Sequence, residues 1–374
     1  MNLVALGDVA AIERQSVDPT SLPPDTLYLG LEHIERGGRI IGTGTVGGAE
    51  LVSNKFRFTP DHVLFGKLRP NLAKVSRPEF SGVCSTDILP IRPGPHLDRG
   101  YLAHYLVQPT MVKFATTRTT GANLPRLSPT VLATFAIPLP PLDEQRRIAA
   151  ILDRADALRA TRHQVLAHLD SLPQAVLQDS FRNVTGGQVP IGEFAEVRTG
   201  ATPSRDDPRN FGGSIPWVKT AEVRGTITST SEGVTKAGFE SAHLRLFPIG
   251  SVLIAMYGQG KTRGQSAILG VEAATNQACA VVLPNAYFDP VFLQAQMSSS
   301  YHRLRTFAEG GNQPNLSIGR IQRFPVTLPP IGDQRAFAAR VGQINRQRGA
   351  MARLVNHDNS LFASLQYLAF EGRL

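Results

Sequence analysis

The chain has 374 residues, which exceeds one ordinary domain and fits two or three. Hydrophobic residues make up 42% and charged residues 18%, as is normal for soluble, well-packed domains. The formal net charge of +9 and the pI near 9.9 favour a polyanionic partner, either nucleic acid or an anionic membrane surface.

Several common protein classes are disfavoured by simple features of the chain. Residues 1–15 lack the basic segment and long apolar run of a signal peptide, and no stretch approaches the ~18–20 apolar residues of a membrane span. Cys84 and Cys279 lie far apart without a CxxC or Cys/His cluster, which argues against a disulfide framework or a zinc site. We therefore expect a soluble protein of the reducing cytoplasm.

An internal repeat organises the chain. Residues 135–146, FAIPLPPLDEQR, recur as residues 324–335, FPVTLPPIGDQR, so that Gln145 and Gln334 stand 189 residues apart. The same offset aligns Leu127-Ser128 with Leu316-Ser317 and Val63-Leu64 with Val252-Leu253. The chain therefore consists of two copies of one unit, each about half its length.

Before each Pro-Pro pair, the apolar runs are short and separated by Gly and Pro. Such runs predict strands, at 28–31, 63–65 and 88–91 in the first copy and at 252–255 and 280–283 in the second. A helix is expected to interrupt each copy, from Tyr101 to about Thr117 and from Pro290 to about Ala308. Each copy is thus expected to begin with a loop-rich domain of mixed α/β content.

A long helical pattern follows each Pro-Pro pair, because Pro141 and Pro330 suit a first helical turn. In the first copy one heptad position collects apolar residues interrupted by Arg162, and in the second copy Asp358 is one of the interruptions. Pro173 should kink or break the first helix. The residues expected to pair the helices or to meet a partner are Gln145, Ile148, Ile151, Leu158, Val165, Leu172, Gln334, Phe337, Ile344, Leu354, Leu361 and Leu368.

Two helices of this length with apolar stripes should pair, although each stripe could instead pack on its own globular domain. Antiparallel pairing would relate the two copies by an approximate two-fold axis. The expected fold is therefore α+β: two similar mixed α/β domains at 1–140 and 185–328, and two long coiled-coil helices at 141–184 and 329–374. Two DNA readers at a fixed separation would recognise two half-sites at a fixed spacing.

The segment from Ala255 to Thr262, AMYGQGKT, approaches the phosphate-binding GxxxxGK[ST] loop. That loop requires a helix directly after Lys-Thr, whereas here two glycines and a strand-like run follow. We therefore expect a basic turn between two strands that faces DNA. No other catalytic motif is present in the sequence, and we expect neither an enzyme activity nor a metal site in this chain.

Polar and basic residues recur at equivalent points of the two copies. Lys and Arg can neutralise phosphates, whereas Arg, Asn and Gln can bond to guanine and adenine edges. The candidate DNA-binding residues are Lys67, Arg69, Asn71, Lys74, Arg118, Asn123 and Arg126 in the first copy, and Lys219, Tyr257, Lys261, Arg263, Asn312, Gln313 and Asn315 in the second. Arg77 belongs to the same basic cluster in sequence.

At the repeat, the sequence resembles the specificity (S) subunits of type I restriction-modification systems. The resemblance is carried by Leu-Pro-Pro-Leu-Asp-Glu-Gln-Arg-Arg-Ile, its second copy at 328–335, and the ending at 360–374. Further carriers are YLGLEHIE at 28–35, GATPS at 200–204 and IPWVK at 215–219. It implies two target recognition domains, each reading half of an asymmetric bipartite DNA site, and a helical spacer that docks two methyltransferase subunits.

The resemblance also implies where the chemistry lies. S-adenosylmethionine, ATP and Mg²⁺ are expected only in methyltransferase and restriction partners, not in this chain. Gly332-Asp333 replaces Asp143-Glu144, so we expect the second helix to pair or dock less tightly. Two alternatives stay open: an ATPase built on 255–262, and a helix-dimerised DNA-binding regulator without methyltransferase partners.

Overall fold

A computed structural model describes residues 2–49, 51–181, 187–258, 260–307 and 315–374. The chain divides into two compact units. Unit 1 comprises Met1–His163 and Arg353–Leu374, and unit 2 comprises Gln164–Ala352. Each unit therefore contains one globular part and segments of both long helices.

The globular part of unit 1 contains eleven described strands and four described helices. The strands are β1 Leu3–Ala5, β2 Ala10–Ile12, β3 Ser16–Val17, β4 Leu27–Leu29, β5 Gly44–Thr45, β6 Lys55–Phe58, β7 Val63–Gly66, β8 Val75–Ser76, β9 Gly82–Cys84, β10 Ile88–Pro93 and β11 Ala136–Pro138. The helices are α1 Leu6–Val9, α2 Arg99–Leu106, α3 Pro109–Thr116 and α4 Pro129–Ala133.

The strands of unit 1 form small sheets with the orders β2-β10-β7-β8 and β3-β6-β9-β4-β5, and β1 pairs with β11. Strand β7 is buried at all four residues and lies antiparallel to β10, with Val63 opposite Ile91. The main hydrophobic core of unit 1 also includes residues of α2, of the start of the first long helix, and Ala369. Burial of this apolar surface is the principal stabilising term of the unit.

The globular part of unit 2 contains ten described strands and five described short helices. The strands are β12 Gln188–Pro190, β13 Val197–Thr199, β14 Phe211–Val218, β15 Gly225–Ile227, β16 Gly233–Val234, β17 Val252–Ala255, β18 Ser266–Leu269, β19 Ala274–Thr275, β20 Cys279–Val282 and β21 Pro325–Thr327. The helices are α6 Ile191–Phe194, α7 Lys236–Ser241, α8 Pro290–Ser299, α9 Tyr301–Thr306 and α10 Ile318–Arg323.

Unit 2 repeats part of this arrangement. Its five-stranded sheet has the order β13-β20-β17-β18-β15, β14 joins β16 and β19, and β12 pairs with β21 as β1 pairs with β11. Strand β17 is buried throughout and lies antiparallel to β20, with Val252 opposite Val282. The fold thus confirms two copies of mixed α/β content.

Equivalent caps explain one of the repeated motifs. Ser128 accepts a hydrogen bond from Val131 N at 3.1 Å and begins α4, and Ser317 accepts one from Arg320 N at 3.4 Å and begins α10. Serine is favoured at this position because its hydroxyl satisfies a free helical N–H. The preceding Leu127 and Leu316 are buried, so each Leu-Ser pair anchors and starts a helix.

Each of the helices predicted at 101–117 and 290–308 is divided into two shorter helices. Helix α2 ends at Leu106 and α3 begins at Pro109, because Gln108 before that proline is extended (φ −58°, ψ 143°). In unit 2, α8 ends at Ser299 and α9 begins at Tyr301. The apolar periodicity located these elements, but not the break within each.

The two long helices are α5 Leu142–Phe181 and α11 Ile331–Phe370. Pro141 and Pro330 directly precede them, and their carbonyls accept the first helical hydrogen bonds, from Glu144 N at 3.0 Å and Asp333 N at 2.9 Å. Helix α5 continues through Pro173, so of the two predicted effects of this proline the break is wrong and the kink stays a prediction. A proline removes one main-chain donor but need not end a helix that packing supports.

Within each unit the segments of α5 and α11 run antiparallel. In unit 1, Arg147 bonds to Leu374 O at 2.6 Å and Arg159 to Asn359 at 3.0 Å, so later residues of α5 meet earlier residues of the C-terminal segment. In unit 2, Asp170 pairs with Arg348, and Phe181 lies 6.0 Å from Phe337 between ring centroids.

Candidate nucleic-acid interface

In unit 1, a short turn connects β7 to β8 and carries basic residues. Arg69 adopts the left-handed conformation (φ 50°), as does Ala73 (φ 49°), and the 3₁₀ helix Pro70–Leu72 lies between them. Non-glycine residues in this region are strained and persist only where their surroundings hold them. Arg69 and Asn71 are exposed and Lys67 is half-buried, so the turn presents polar side chains to solvent.

A second loop, at residues 118–127, is bonded to this turn. Arg69 N donates to Pro125 O at 2.8 Å, and Leu127 N donates to Lys67 O at 2.9 Å. The structure therefore brings the two predicted groups of unit 1 together, with Asn123 and Arg118 exposed on the second loop. The guanidinium of Arg118 lies 3.3 Å from the ring centroid of Phe114.

Three basic side chains of this region bond within the protein. Arg126 donates to both carboxylate oxygens of Asp87, at 2.8 and 3.2 Å, and Lys74 Nζ donates to Leu31 O at 2.6 Å. These bonds stabilise the loops, so a contact of either residue with DNA stays a prediction. Arg77 does not belong to the exposed set, because it pairs with Asp153 of α5.

In unit 2, the equivalent position is a hairpin between β17 and β18. Residues 260–263 form a turn and Ser266 begins the next strand, so no helix follows Lys261-Thr262. The expectation of a turn between two strands is confirmed, and the helix N-terminus needed by a phosphate-binding loop does not follow. Tyr257 is 40% exposed, Lys261 is exposed and Arg263 is half-buried.

The other candidates of unit 2 lie at different distances from this hairpin. Asn315 is exposed. It lies beside the hairpin, because the next residue, Leu316, donates its N–H to Met256 O at 3.1 Å. Lys219 lies on a neighbouring loop, where its ammonium is 3.5 Å from Glu232. Asn312 and Gln313 fall outside the described residues, and their role stays a prediction.

The glutamine of each repeated motif anchors a long helix to its globular part. Gln145 is fully buried; its Nε2 donates to His96 O at 2.9 Å and Pro140 O at 2.8 Å, and its Oε1 accepts from Asp98 N at 2.8 Å. Asp98 in turn caps α2.

Gln334 makes the same three contacts in unit 2. Its Nε2 donates to Tyr287 O at 3.2 Å and Pro329 O at 2.8 Å, and its Oε1 accepts from Asp289 N at 2.9 Å. Both glutamines were predicted to pair the long helices or to meet a partner. That prediction is corrected, because all three bonds of each side chain go to the main chain of its own unit.

The helix interface uses only part of the predicted apolar stripe. Ile148 and Phe337 are buried in the cores of units 1 and 2, and Ile151, Leu172, Ile344 and Leu368 are half-buried. Leu158, Val165, Leu354 and Leu361 are 39–47% exposed, so they are not covered by the other helix, and their contact with a partner stays a prediction. Heptad spacing identifies an apolar face but does not show whether another helix covers it.

Polar residues fill part of the interface instead. In unit 1, Arg162 Nη1 donates to Asp358 Oδ1 at 2.6 Å, and the Asp358 side chain is only 7% exposed. Arg162 interrupted the first heptad pattern, and Asp358 was one of the residues that interrupted the second. These two residues therefore meet across the interface, and Arg159 also stacks on Phe362 at 4.3 Å.

A second polar junction in unit 1 joins α2 to α5. His104 Nε2 lies 2.7 Å from Asp153 Oδ1, and Arg77 Nη1 lies 3.1 Å from Asp153 Oδ2. Burial by itself would raise the pKa of Asp153, but the hydrogen bonds from His104 and Arg77 outweigh it and hold the pKa well below its usual range. The ionised carboxylate is thus the form that the fold stabilises.

We expect Asp153→Asn to lower the thermal unfolding midpoint of unit 1 at neutral pH. Because the native pKa of Asp153 is depressed, its stabilisation is present above the unfolded pKa of about 3.9 and is lost as pH falls towards the native value. The difference in unfolding midpoint between wild type and variant should therefore become smaller below about pH 4. Asp156→Asn, which removes a more exposed ion pair with Arg159 on the same helix, is the control. A gap that widened in acid would contradict the assignment.

The described ranges contain no candidate membrane span and no candidate metal cluster. No helix there is long and apolar enough to cross a membrane. Over the same residues, no group of three or more His, Cys, Asp and Glu side chains is arranged to hold a metal ion. Cys84 and Cys279 are free and buried, and burial raises the pKa of Cys279 to about 12.

The side chains that support the hairpin of unit 2 were not predicted from the sequence. Tyr301 Oη donates to Lys261 O at 2.9 Å, and Arg305 Nη1 donates to Arg263 O at 3.0 Å. The available signal was their spacing of one helical turn on a short helix directly after α8. Their backbone targets could not be inferred from sequence.

The chain matches the sequence profile of the type I restriction modification DNA specificity domain twice, over residues 1–170 and 185–350. It is 30% identical over 187 residues to the type I restriction enzyme EcoDI specificity subunit of Escherichia coli. That alignment covers 49% of this chain and 41% of the relative, so the match spans less than half of the relative's length.

Two solved structures share the fold. The type I restriction-modification S subunit from M. genitalium superposes with a TM-score of 0.63 at 12% identity, covering 99% of this chain and 96% of that one. A chain described in a study of complex assembly and conformational transition of the type I restriction-modification system gives a TM-score of 0.62 at 20% identity, covering 100% and 98%.

Proposed function

The chain belongs to the type I restriction-modification DNA specificity family, and from this premise we propose that it recognises a bipartite, asymmetric DNA site for a modification complex. The observation that supports this most directly is the placement of a polar turn after the same buried strand in both copies. These turns follow β7 in unit 1 and β17 in unit 2. Each copy would read one half-site, as a target recognition domain at 1–140 or 185–328.

The charge and exposure of the turns suit contact with a DNA backbone. The formal net charge is +9, and Arg69, Arg118 and Lys261 are exposed in or beside the turns. Lys and Arg at such positions neutralise phosphates, whereas exposed amides such as Asn71 and Asn315 can bond to base edges. The two turns differ in sequence, so the two half-sites should differ.

The long helices would dock two methyltransferase subunits. In unit 1, Leu158 of α5 and Leu354, Leu361 and Tyr367 of α11 are 43–59% exposed. Aromatic and aliphatic side chains exposed on paired helices are typical of a surface that a partner covers. S-adenosylmethionine would come with those partners, and restriction subunits would add ATP and Mg²⁺. A subunit that acts on cellular DNA would work in the cytoplasm.

Methylome sequencing of the host, with and without the gene, tests the proposal. We expect one bipartite methylated motif to disappear on deletion and to return with the wild-type chain. Recovery of the full set of methylated motifs in the deletion strain would overturn the proposal. Co-purification with a methyltransferase subunit, weakened by Leu158→Asp with Leu361→Asp, would test docking on unit 1.

Two kinds of substitution should separate phosphate contacts from base contacts. Lys67→Ala or Lys261→Ala should weaken binding to all sequences and reduce the slope of log K against log salt by about one unit per lost phosphate contact. Asn315→Ala should leave the salt slope unchanged and relax base preference in one half-site. Binding isotherms at several salt concentrations, with the cognate and a scrambled duplex, measure both effects. If the lysine and asparagine variants changed the salt slope and the base preference alike, the division into phosphate contacts and base contacts would be wrong.

A further inference from the structure

The polar turns of the two copies are built differently. The turn of unit 1 is short and held by left-handed Arg69 and Ala73. The Gly-rich turn of unit 2, whose described residues are 256–258 and 260–265, contains Gly258, Gly260 and Gly264 with φ of 132°, 62° and 87°. Glycine reaches these conformations without steric cost, but such a segment loses much conformational entropy when it is ordered.

Helix α9 bonds directly to the backbone of the Gly-rich turn. Tyr301 Oη donates to Lys261 O at 2.9 Å, and Arg305 Nη1 donates to Arg263 O at 3.0 Å and to Tyr301 Oη at 3.2 Å. Arg305 therefore joins the turn and the tyrosine hydroxyl in one network. Because its donor is charged, these bonds are stronger than those between neutral groups.

Packing beneath the turn matches this hydrogen bonding. A Cβ built at Gly264 would lie 3.3 Å from Arg305 Cγ and 3.4 Å from Tyr301 Cδ2. Gly264 N also donates to Ala255 O at 2.9 Å, which closes the hairpin above α9. The absence of a side chain thus lets the turn lie directly on the two α9 side chains.

These supports leave the outer side chains of the turn exposed. Tyr257 is 40% exposed and Lys261 is exposed, and the adjoining Asn315 is exposed as well. Tyr301 and Arg305 bond to main-chain carbonyls and so fix the turn without using its recognition side chains. The order that DNA binding would otherwise impose on three glycines is already present in the free protein.

We propose that Tyr301 and Arg305 are positioning residues that hold the Gly-rich turn in its DNA-binding conformation and so set specificity for the half-site read by the second copy. This inference rests on the proposed function. It assigns neither residue a contact with a base. Both residues lie in unit 2, so the effect should be confined to the half-site that the second copy reads.

The test compares Tyr301→Phe and Arg305→Met with wild type in the full chain, expressed in its host with the partners present. Tyr301→Phe retains the ring and removes only the hydroxyl. Tyr287→Phe is the matched control. It removes the same hydroxyl from a tyrosine of the same unit that is 67% exposed. Methylome sequencing gives base preference at each position, and binding assays on the purified complex give affinity.

We expect each α9 variant to lose roughly tenfold in affinity for the wild-type site, the effect of about one hydrogen bond to a charged or buried group. Degenerate bases should appear in one half-site only, with the unfolding midpoint within about 2 °C of wild type. Arg305→Lys retains a cationic donor and should recover part of the discrimination lost in Arg305→Met.

The possible failures are distinguishable. If the wild-type chain directs no bipartite motif, the proposed function itself fails. If wild type does so and both α9 variants keep full discrimination in each half-site, the positioning role is overturned. Equal relaxation of both half-sites, or an equal effect of Tyr287→Phe, would also overturn it, because a general loss of structure is not confined to one turn.

Discussion

Gln145→Leu is expected to lower the free energy of unfolding of unit 1 by about 2–5 kcal/mol, a large fraction of the stability of a typical domain. The leucine fills a similar volume but leaves Asp98 N, His96 O and Pro140 O without the partners they have in wild type. A buried main-chain group without a partner costs about 1–3 kcal/mol, and part of this is recovered where water reaches His96.

Gln334→Leu should destabilise unit 2 by a similar amount, because Gln334 makes the equivalent three bonds. Gln164→Leu on α5 and Gln347→Leu on α11 are matched controls, since both glutamines are exposed. Denaturant titrations followed by circular dichroism measure all four. Exposed substitutions of this kind usually change stability by less than about 0.5 kcal/mol. Equal losses in the buried and exposed positions would show that the anchoring bonds contribute nothing.

Breaking the Arg162–Asp358 pair should have an effect of similar size. Arg162→Met leaves the Asp358 carboxylate, 7% exposed, without its cation. Removing one partner of a buried pair typically costs about 3–5 kcal/mol, since the remaining charge is neither paired nor hydrated. Asp358→Leu should cost less, because the Arg162 side chain is 26% exposed and its guanidinium can turn towards water.

The double variant, Arg162→Met with Asp358→Leu, should recover most of the loss, as apolar residues often replace a buried pair without destabilisation. A double-mutant cycle on the four chains gives the coupling free energy. A cycle over Arg146 and Asp143, an exposed pair on α5, is the control and should give less than about 1 kcal/mol. Additive single effects at Arg162 and Asp358 would show that the pair is not coupled.

The repeat predicted more of the structure than the local patterns did. The offset that aligned Gln145 with Gln334 also aligned two helix caps, Ser128 and Ser317, and all four residues make equivalent bonds. The repeat is informative here because equivalent side chains make the same hydrogen bonds in both units. The partners of the glutamines could not be predicted from local sequence, since Gln145 and its acceptor His96, for example, lie 49 residues apart in the chain.

The apolar stripes of the long helices were predicted, but their partner faces were not. Leu158 and Leu361 fit the heptad as well as Ile148 does, yet only Ile148 is buried. Conversely, Arg162 and Asp358 were treated as interruptions and lie in the interface. Periodicity reports side-chain polarity alone, whereas burial depends on which other elements reach that face.

The core of unit 1 is assembled from the two extremes of the sequence. The ring of Phe370 lies 5.1 Å from Tyr101 and 5.2 Å from Tyr105, Ala369 is fully buried, and Gln366 Nε2 donates to His104 O at 3.1 Å. During synthesis on a ribosome these partners emerge only after all of unit 2. Unit 1 therefore completes its core only after unit 2 has been translated, and Tyr101 and Tyr105 lack their contact with Phe370 until then.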